Sequence, residues 1–196
     1  MFVLSPQKIF KAILAQIFPL KIQKLPVCQL GNPTLRKIAE PIADVSNREI
    51  QQLIDEMLIT LQESKGVGLA APQIGRSLQL VIIASRPNER YPKAPQMEAT
   101  PMINPQIISR SAEIEKDWEG CLSVPMIRGL VPRYRAIEVE YTDRQGDRQN
   151  AKLTDFVARI FQHEYDHLQG KVFLDRVETN SDLVSEPEYY KILKGY

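Results

Sequence analysis

The stretch LTDFVARIFQHEYDHLQG, residues 153–170, decides how this chain folds. Thr154 is suited to the N-cap of a helix, and Asp155 would lie near the positive end of the helix dipole. Gly170 stands where a helix of this length would end in a left-handed residue. Apolar residues occur on more than one face of that helix: Phe156, Val157, Ile160, Phe161 and Leu168. The pattern predicts a helix enclosed in the protein core.

Both histidines of the chain lie in this stretch, four positions apart. Residues i and i+4 share a helix face, so His163 and His167 can bind one metal ion. Glu164 is then placed to move protons for water at the metal without being a ligand. A surface helix with two solvated histidines, or a closed structural zinc site, is the alternative. A structural site usually has four protein ligands and no need of Glu164, so the pattern favours a hydrolytic site.

A catalytic zinc or iron site usually takes three protein ligands, so a third must come from elsewhere. Phe173 stands where a metzincin would supply a third histidine, which excludes that class. Glu186 lies at a workable distance downstream, and as third ligand it would make the protein a zinc endopeptidase. However, Glu186 lies in Ser185-Glu186-Pro187-Glu188, which we expect to be a loop or a frayed tail.

The remaining candidates are the two cysteines, Cys28 and Cys121. Gly120 beside Cys121 allows a close approach of the backbone to a metal or a substrate, and thiolate suits zinc or ferrous iron. Cys28 lies in an apolar run, residues 25–30, where a free cysteine is most simply a small hydrophobe. A disulfide between the two is the alternative, although nothing marks the chain as secreted. The residues favour Cys121 as the third metal ligand.

Three stretches together resemble the signature motifs of peptide deformylases: GVGLAAPQ (66–73), EGCLS (119–123) and QHEYDH (162–167). They occur in the family's order, the resemblance covers about residues 25–178, and the form is typical of bacterial and organellar enzymes. It implies a metal-dependent hydrolase that removes the formyl group from the N-formylmethionine of newly synthesised proteins. The implied products are formate and a free Met N-terminus.

The resemblance also implies a role for each matching position. Glu164 would be the catalytic acid and base, while Gln73 and the backbone N–H of Leu122 would form the oxyanion hole. The substrate peptide would be held by Val67, Gly68 and Gly120. The metal ligands would be Cys121, His163 and His167. The implied metal is Fe2+, which Zn2+, Ni2+ or Co2+ could replace. Arg159 departs from the apolar residues with which the family often lines its methionine pocket.

Composition sets broad limits. A chain of 196 residues is long enough for one substantial domain. Its 25 basic and 24 acidic residues leave a net charge of +1, which gives no case for nucleic-acid binding. No apolar run approaches the length of a transmembrane helix, so we expect a cytoplasmic protein. We expect a catalytic domain over residues 25–178 and a polar C-terminal tail over residues 179–196.

Residues 1–24 form a basic extension, because acidic residues are absent before Glu40. Ile9, Ile13 and Ile17 recur in it at helical spacing. A basic amphipathic segment could face the ribosome or a membrane surface, or direct the protein to an organelle. It could equally be an extra helix packed on the domain.

The strands expected before the late helix predict an α+β fold, with mixed or antiparallel sheets wrapped around that helix. Ser46 and Glu49 predict a capping box, and the helix they open would stop at Gly66. Strands are expected over 78–84, 102–108 and 113–116, and over 131–141, where apolar and polar residues alternate and a turn at 145–147 follows. Residues 86–101 predict an exposed excursion.

Overall fold

The computed structural model describes residues 22–87, 91 and 94–195, so the extension predicted over residues 1–24 lies almost wholly outside it. The helices of the described part are α1 (Arg48–Glu63), α2 (Asp155–Leu168) and α3 (Glu186–Lys194). Its strands are β1 (Gly68–Ala70), β2 (Leu80–Ser85), β3 (Met97–Arg110), β4 (Ile114–Cys121), β5 (Val124–Tyr134), β6 (Ala136–Thr142), β7 (Arg148–Thr154) and β8 (Leu183–Ser185). None of these helices is long and apolar enough to cross a membrane.

A five-stranded antiparallel sheet in the order β1-β2-β3-β6-β7 packs against α2. One face of β2, β3 and β6 carries apolar side chains, and they form a common core with Ala158 and Phe161 of the helix. The sheet residues of this core include Val81, Ile83, Met102, Ile137 and Val139. The predicted α+β fold, with antiparallel sheets around a central helix, is confirmed.

A second, three-stranded antiparallel sheet in the order β4-β5-β8 covers another side of α2. Its first two strands form a hairpin that closes with Cys121 opposite Val124. The short strand β8 pairs with the middle of β5, where Arg128 lies opposite Val184. This sheet therefore brings the EGCLS motif and the C-terminal part of the chain to the same helix.

The helix α2 lies at the centre of the fold, as predicted. Phe161 and His167 are completely buried. Gly170 has a φ of 69°, the left-handed conformation expected after the helix, and a Cβ there would lie 2.8 Å from the carbonyl oxygen of Arg36. Thr154 does occupy the N-cap, but its side chain makes no capping hydrogen bond. Packing holds this helix in place more than its cap does.

The start of α1 differs from the prediction, because the capping box at Ser46 was wrong. Asn47 is the N-cap, and its side chain accepts a hydrogen bond of 2.8 Å from the backbone N–H of Glu49. The hydroxyl of Ser46 instead donates to Asp44 at 2.6 Å. Ser, Asn and Asp all cap helices, so a run of such residues does not fix which one is used.

Three other boundaries also differ. The excursion predicted over residues 86–101 is too long, because β3 begins at Met97, which pairs with Ser85 of β2. The strand predicted over 131–141 is two strands in different sheets, divided at Arg135, because the chain turns there from β5 to β6. The segment around Glu186 is the end of β8 and the first turn of α3, where Pro187 is well tolerated.

Candidate metal centre

Cys121, His163 and His167 come together although two separate elements carry them. Cys121 ends β4, and the histidines share one face of α2. One ligand atom from each lies within 4.8 Å of the other two, and Cys121 Sγ is 3.3 Å from Nε2 of His167. Both cysteines are free thiols, which rules out the disulfide alternative. Within the described ranges, no other cluster of His, Cys, Asp or Glu side chains has this spacing.

The imidazole of His163 is oriented by a buried carboxylate. Glu119 accepts a hydrogen bond from Nδ1 of His163 at 2.8 Å, which leaves the Nε2 side of the ring for the centre. Two arginines hold that carboxylate in turn. Arg133 binds both of its oxygens, at 2.9 and 3.0 Å, and Arg159 binds Oε1 at 3.0 Å. Such outer partners fix the tautomer and orientation of a metal-binding histidine.

The protonation equilibrium of the Cys121 sulfur favours its metal-binding form. Burial alone would raise the pKa of the Cys121 thiol, but the imidazoles of His167 and His163 lower it well below its usual value. Burial would likewise raise the pKa of Glu119, and Arg133 together with His163 overcomes this and holds it low. The sulfur is therefore favoured as a thiolate, the form that binds metal ions.

Two polar atoms beside the centre lack a hydrogen-bond partner in the described part of the chain, Nδ1 of His167 and Oε2 of Glu164. Burying a carboxylate oxygen without a partner is costly. Glu164 is therefore placed to accept a hydrogen bond from a bound reactant or from water. Burial raises the pKa of Glu164 to about 7, against the opposing charges of His163 and His167. A thiolate, two imidazoles and a free carboxylate fit a divalent metal ion of the zinc or ferrous type.

The GVGLAAPQ and EGCLS motifs form walls of the same cavity beside the metal centre. A Cβ at Gly68 would overlap the Glu164 carboxylate, so this position needs glycine for close approach. Gln73 lies in a short 3-10 helix, and its Oε1 accepts a hydrogen bond of 2.8 Å from the N–H of Ala70. Its Nε2 is then turned toward the centre, 3.4 Å from Cys121 Sγ and 3.3 Å from Ser123 Oγ.

The segment that precedes this wall ties the two motif loops together. The backbone N–H of Cys28 donates to the carbonyl of Gln73 at 2.7 Å, and the N–H of Leu30 donates to the carbonyl of Ser123 at 2.8 Å. Cys28 itself is half-buried and takes no part in the metal cluster. Its prediction as a small packing residue fits this position.

The cluster opens into a cavity with an empty volume of about 1000 Å³, a figure that includes the open space at its mouth. All the residues predicted to act on or hold the substrate line it: Gln73, Leu122, Glu164, Val67, Gly68 and Gly120. Arg159 lines it too, but its guanidinium points into the protein, where it binds the backbone carbonyls of Glu115 and Val131 at 2.7 and 2.8 Å.

Glu186 was wrong as a third ligand. Its carboxylate forms an ion pair with Arg128 in the cavity wall and lies outside the Cys–His–His cluster. The role of Glu119 was not predicted, although the residue lies in the EGCLS motif. Alternation along a strand puts residues 119 and 121 on one face, and this signal could have found it.

Fold and centre together define a metal-dependent hydrolase built on a His-Glu-x-x-His helix. Residues 24–182 match the sequence model of the polypeptide deformylase family, and the chain belongs to that family. The expectation from the three motifs is thereby confirmed, and the endopeptidase alternative is set aside. The reaction is removal of the formyl group from N-formylmethionine peptides, the activity of this family.

Known peptide deformylases are similar to this chain over most of its length. Peptide deformylase 2 of Nostoc sp. is 59% identical over 169 residues, which is 86% of this chain and 94% of the relative. Class I type b peptide deformylase from Acinetobacter baumannii, solved with Met-Ala-Ser bound, superposes with a TM-score of 0.78 at 43% identity, over 80% of this chain and all of that one. A peptide deformylase from Synechococcus elongatus in complex with actinonin has a TM-score of 0.72 at 33% identity, over 90% and 92%.

Proposed function

We propose that Cys121, His163 and His167 hold one divalent metal ion and that Glu164 is the acid and base of the deformylation. The observation that carries this proposal is the convergence of three ligand atoms within 4.8 Å beside a buried carboxylate oxygen without a partner. A divalent ion held there supplies Lewis acidity and brings the pKa of water toward about 7. Fe2+ is the metal we propose for the cell, with Zn2+, Ni2+ or Co2+ as replacements, since one thiolate and two imidazoles suit all four.

Glu164 carries the proton transfers. Hydrolysis adds the oxygen of water to the formyl carbon, breaks the C–N bond and delivers a proton to the departing Met amine. A carboxylate must accept a proton from water and then donate it to nitrogen, and it does both best when its pKa lies near the working pH. Burial brings the pKa of Glu164 to about 7, which meets this requirement.

Gln73 and Leu122 stabilise the charge that develops on the formyl oxygen. The amide of Gln73 is held by the N–H of Ala70 on its oxygen side, so its Nε2–H group is aimed at the centre before the substrate arrives. The backbone N–H of Leu122 follows directly after Cys121 and is the second donor. Preorganised donors of this kind are each worth about 10²–10³ in rate.

The substrate peptide lies between the two motif loops. We propose that the backbones of Val67 and Gly68 on one side and Gly120 on the other hold it, because all three line the cavity. The methionine side chain takes the apolar part of the cavity, beside Phe156 and Ile160. Arg159 contributes only its aliphatic stem there, because its guanidinium is hydrogen-bonded to backbone carbonyls and to Glu119.

The basic segment over residues 1–24 stays a prediction. Its charge would favour the ribosome surface, near which newly made N-termini emerge, or a membrane surface or organelle import. Co-sedimentation of the full chain with ribosomes, compared with a variant lacking residues 1–21, tests the first possibility. Equal sedimentation of both proteins would remove it.

The decisive experiment measures formate release from formyl-Met-Ala-Ser, with metal analysis of anaerobically purified protein. Glu164→Gln keeps the shape of the side chain but removes its charge. This variant should retain the metal and lose turnover. Cys121→Ala should lose the metal and the activity together. Glu188→Gln, an equivalent change on an exposed side chain of α3, should alter neither. A Cys121→Ala protein that keeps its metal and its activity would overturn the assignment of the ligands.

A further inference from the structure

An ion pair forms part of the cavity wall beyond the metal centre. Arg128 of β5 and Glu186, the first residue of α3, line the same cavity as Cys121, His163 and Glu164. The guanidinium Nη2 of Arg128 donates to Oε1 of Glu186. The side chain of Arg128 is 7% exposed and that of Glu186 is 20% exposed, so both charges are largely removed from bulk water.

Contacts with neighbouring residues hold Arg128 in this position. A Cβ at Gly120 would collide with the guanidinium, so the charge lies directly against the backbone of the EGCLS motif. The ring of Tyr189, one turn into α3, lies 5.4 Å from the guanidinium carbon. Tyr189 is in turn packed edge-on against Trp118 at 5.6 Å between ring centroids. The C-terminal helix therefore has a buried anchor on this wall.

The supporting segment lies outside the family match, which ends at residue 182. Strand β8 pairs with β5 beside Arg128, and the chain then turns into α3 so that Glu186 meets the guanidinium. Burial alone would lower the pKa of Arg128, but Glu186 raises it above its usual value, so the arginine stays charged. Polar and charged groups close to a substrate discriminate strongly when water is excluded around them.

The other charged side chains of the cavity wall are differently placed. Glu119 and Arg159 are bonded to each other inside the protein, and Lys65 is exposed at the mouth of the cavity. Glu164 is reserved for proton transfer in the proposed function. Apart from the exposed Lys65, the Arg128–Glu186 pair is thus the charged feature that a substrate side chain beyond methionine meets on this wall.

We propose that the Arg128–Glu186 pair sets the tolerance of the enzyme for the charge of the residue that follows formyl-Met, and that α3 positions this pair. The proposal rests on the proposed function, because it places the substrate along Gly120, against which Arg128 lies. As long as the pair is intact its two charges offset each other, and acidic and basic residues after Met are accepted about equally. Removal of either partner leaves one charge facing the peptide.

The test uses the full-length, metal-loaded protein and three peptides, formyl-Met-Asp-Ser, formyl-Met-Ala-Ser and formyl-Met-Lys-Ser. For each, kcat/KM is measured by formate release. Glu186→Gln uncovers the positive charge of Arg128 and should raise the ratio of the Asp to the Lys peptide about 10-fold over wild type. Arg128→Gln uncovers Glu186 and should shift the ratio in the opposite direction by a similar factor.

Glu188→Gln is the matched control, because it removes the same charge from α3 at an exposed position that pairs with Lys191. It should leave the ratio unchanged. A structural defect alone would lower kcat/KM for all three peptides alike and would not change the ratio. Should Glu186→Gln fail to fold, as judged by circular dichroism, Arg128→Gln carries the test with its opposite sign.

The outcomes separate the two proposals. Formate release by wild type, together with an unchanged ratio in the folded variants, overturns the role of the ion pair and leaves the proposed function standing. Absence of formate release from all three peptides by metal-loaded wild type overturns the proposed function and this inference with it. A shift of the ratio in Glu186→Gln, opposite in Arg128→Gln and absent in Glu188→Gln, establishes the pair as a determinant of specificity.

Discussion

The two sheets hold the central helix by different means. The five-stranded sheet meets α2 through apolar side chains, among them Val81 and Ile83 against Phe161. The three-stranded sheet meets it through charged groups: Arg133 of β5 binds Asp166 of α2 at 2.6 Å, and Glu119 of β4 binds His163 at 2.8 Å. Apolar contacts are non-directional and fix where the helix lies, whereas hydrogen-bonded charges fix how a side chain is turned.

This division follows the energetics of burial. Glu119 and Arg133 are about as buried as core residues, with 4% and 5% of their side chains exposed. Buried ion pairs contribute little net stability compared with apolar residues of the same volume. Their place beside the proposed metal ligands is therefore explained by orientation, because they hold His163 and the helix face that carries it.

The largest effect is expected from breaking the apolar side. Phe161→Ala removes a fully buried ring and should lower the free energy of unfolding by about 3–5 kcal/mol. The protein that remains folded should keep its metal and its kcat, since the ring lies away from the ligands. Urea unfolding and formate release measure the two quantities. Leu193→Ala, at a side chain that is 50% exposed, is the control and should change stability little. A Phe161→Ala protein that lost its metal but kept its stability would contradict this division between apolar packing and orientation by charges.

Gly68→Ala addresses a point where the apolar sheet enters the chemistry. A Cβ there would lie 2.7 Å from the Glu164 carboxyl carbon, so the carboxylate has to move. A displacement of this size should lower kcat about 100-fold, with the metal content unchanged. Gly146→Ala is the comparison: it has open space but a φ of 95°, so it should cost stability and not kcat. Normal turnover by Gly68→Ala would mean that Glu164 does not need its present position.

Glu119→Gln weakens the charged side with little change of shape. Loss of the charge weakens the hydrogen bond that orients His163, and we expect metal affinity or kcat/KM to fall about 10–100-fold. Competition with a chelator measures the affinity directly. Glu115→Gln, on an exposed side chain of the same strand, should have no such effect. Wild-type affinity and activity in Glu119→Gln would show that the sheet's charges are only structural.

The smallest effect is expected from Arg135→Met, at the surface turn between β5 and β6. Arg135 binds Glu113 and Asp155 at 2.9 and 2.7 Å, but all three side chains are about half exposed. Exposed ion pairs are screened by salt and contribute little. Thermal unfolding should change slightly at low salt and not at high salt, and formate release should not change. A clear loss of activity would extend the orienting role beyond the buried charges.

The sequence was sufficient for features that depend on local spacing. The positions of His163 and His167 follow from the helical repeat, and the buried helix follows from its apolar residues. The boundary at Arg135 could not be read, because apolar and polar residues alternate across it while the chain moves from one sheet to the other. Only the pairing partners of β5 and β6 reveal that change.

The C-terminal helix was missed for a similar reason. Residues 186–194 are polar, and on their own they predict a loop or a tail. Contacts with distant residues stabilise the helix, namely Glu186 with Arg128 and Tyr189 with Trp118. The role of Glu119 is also long-range, since it depends on β4 lying beside α2. Local propensity carries no information about such contacts.

The hydrogen bonds from Cys28 and Leu30 make the N-terminal edge of the domain a tether to the reaction centre. Any fusion partner or docking surface that engages residues ahead of Ile22 is joined to the carbonyls of Gln73 and Ser123 through one short stretch of backbone. The safe limit for shortening this enzyme therefore lies before Leu25.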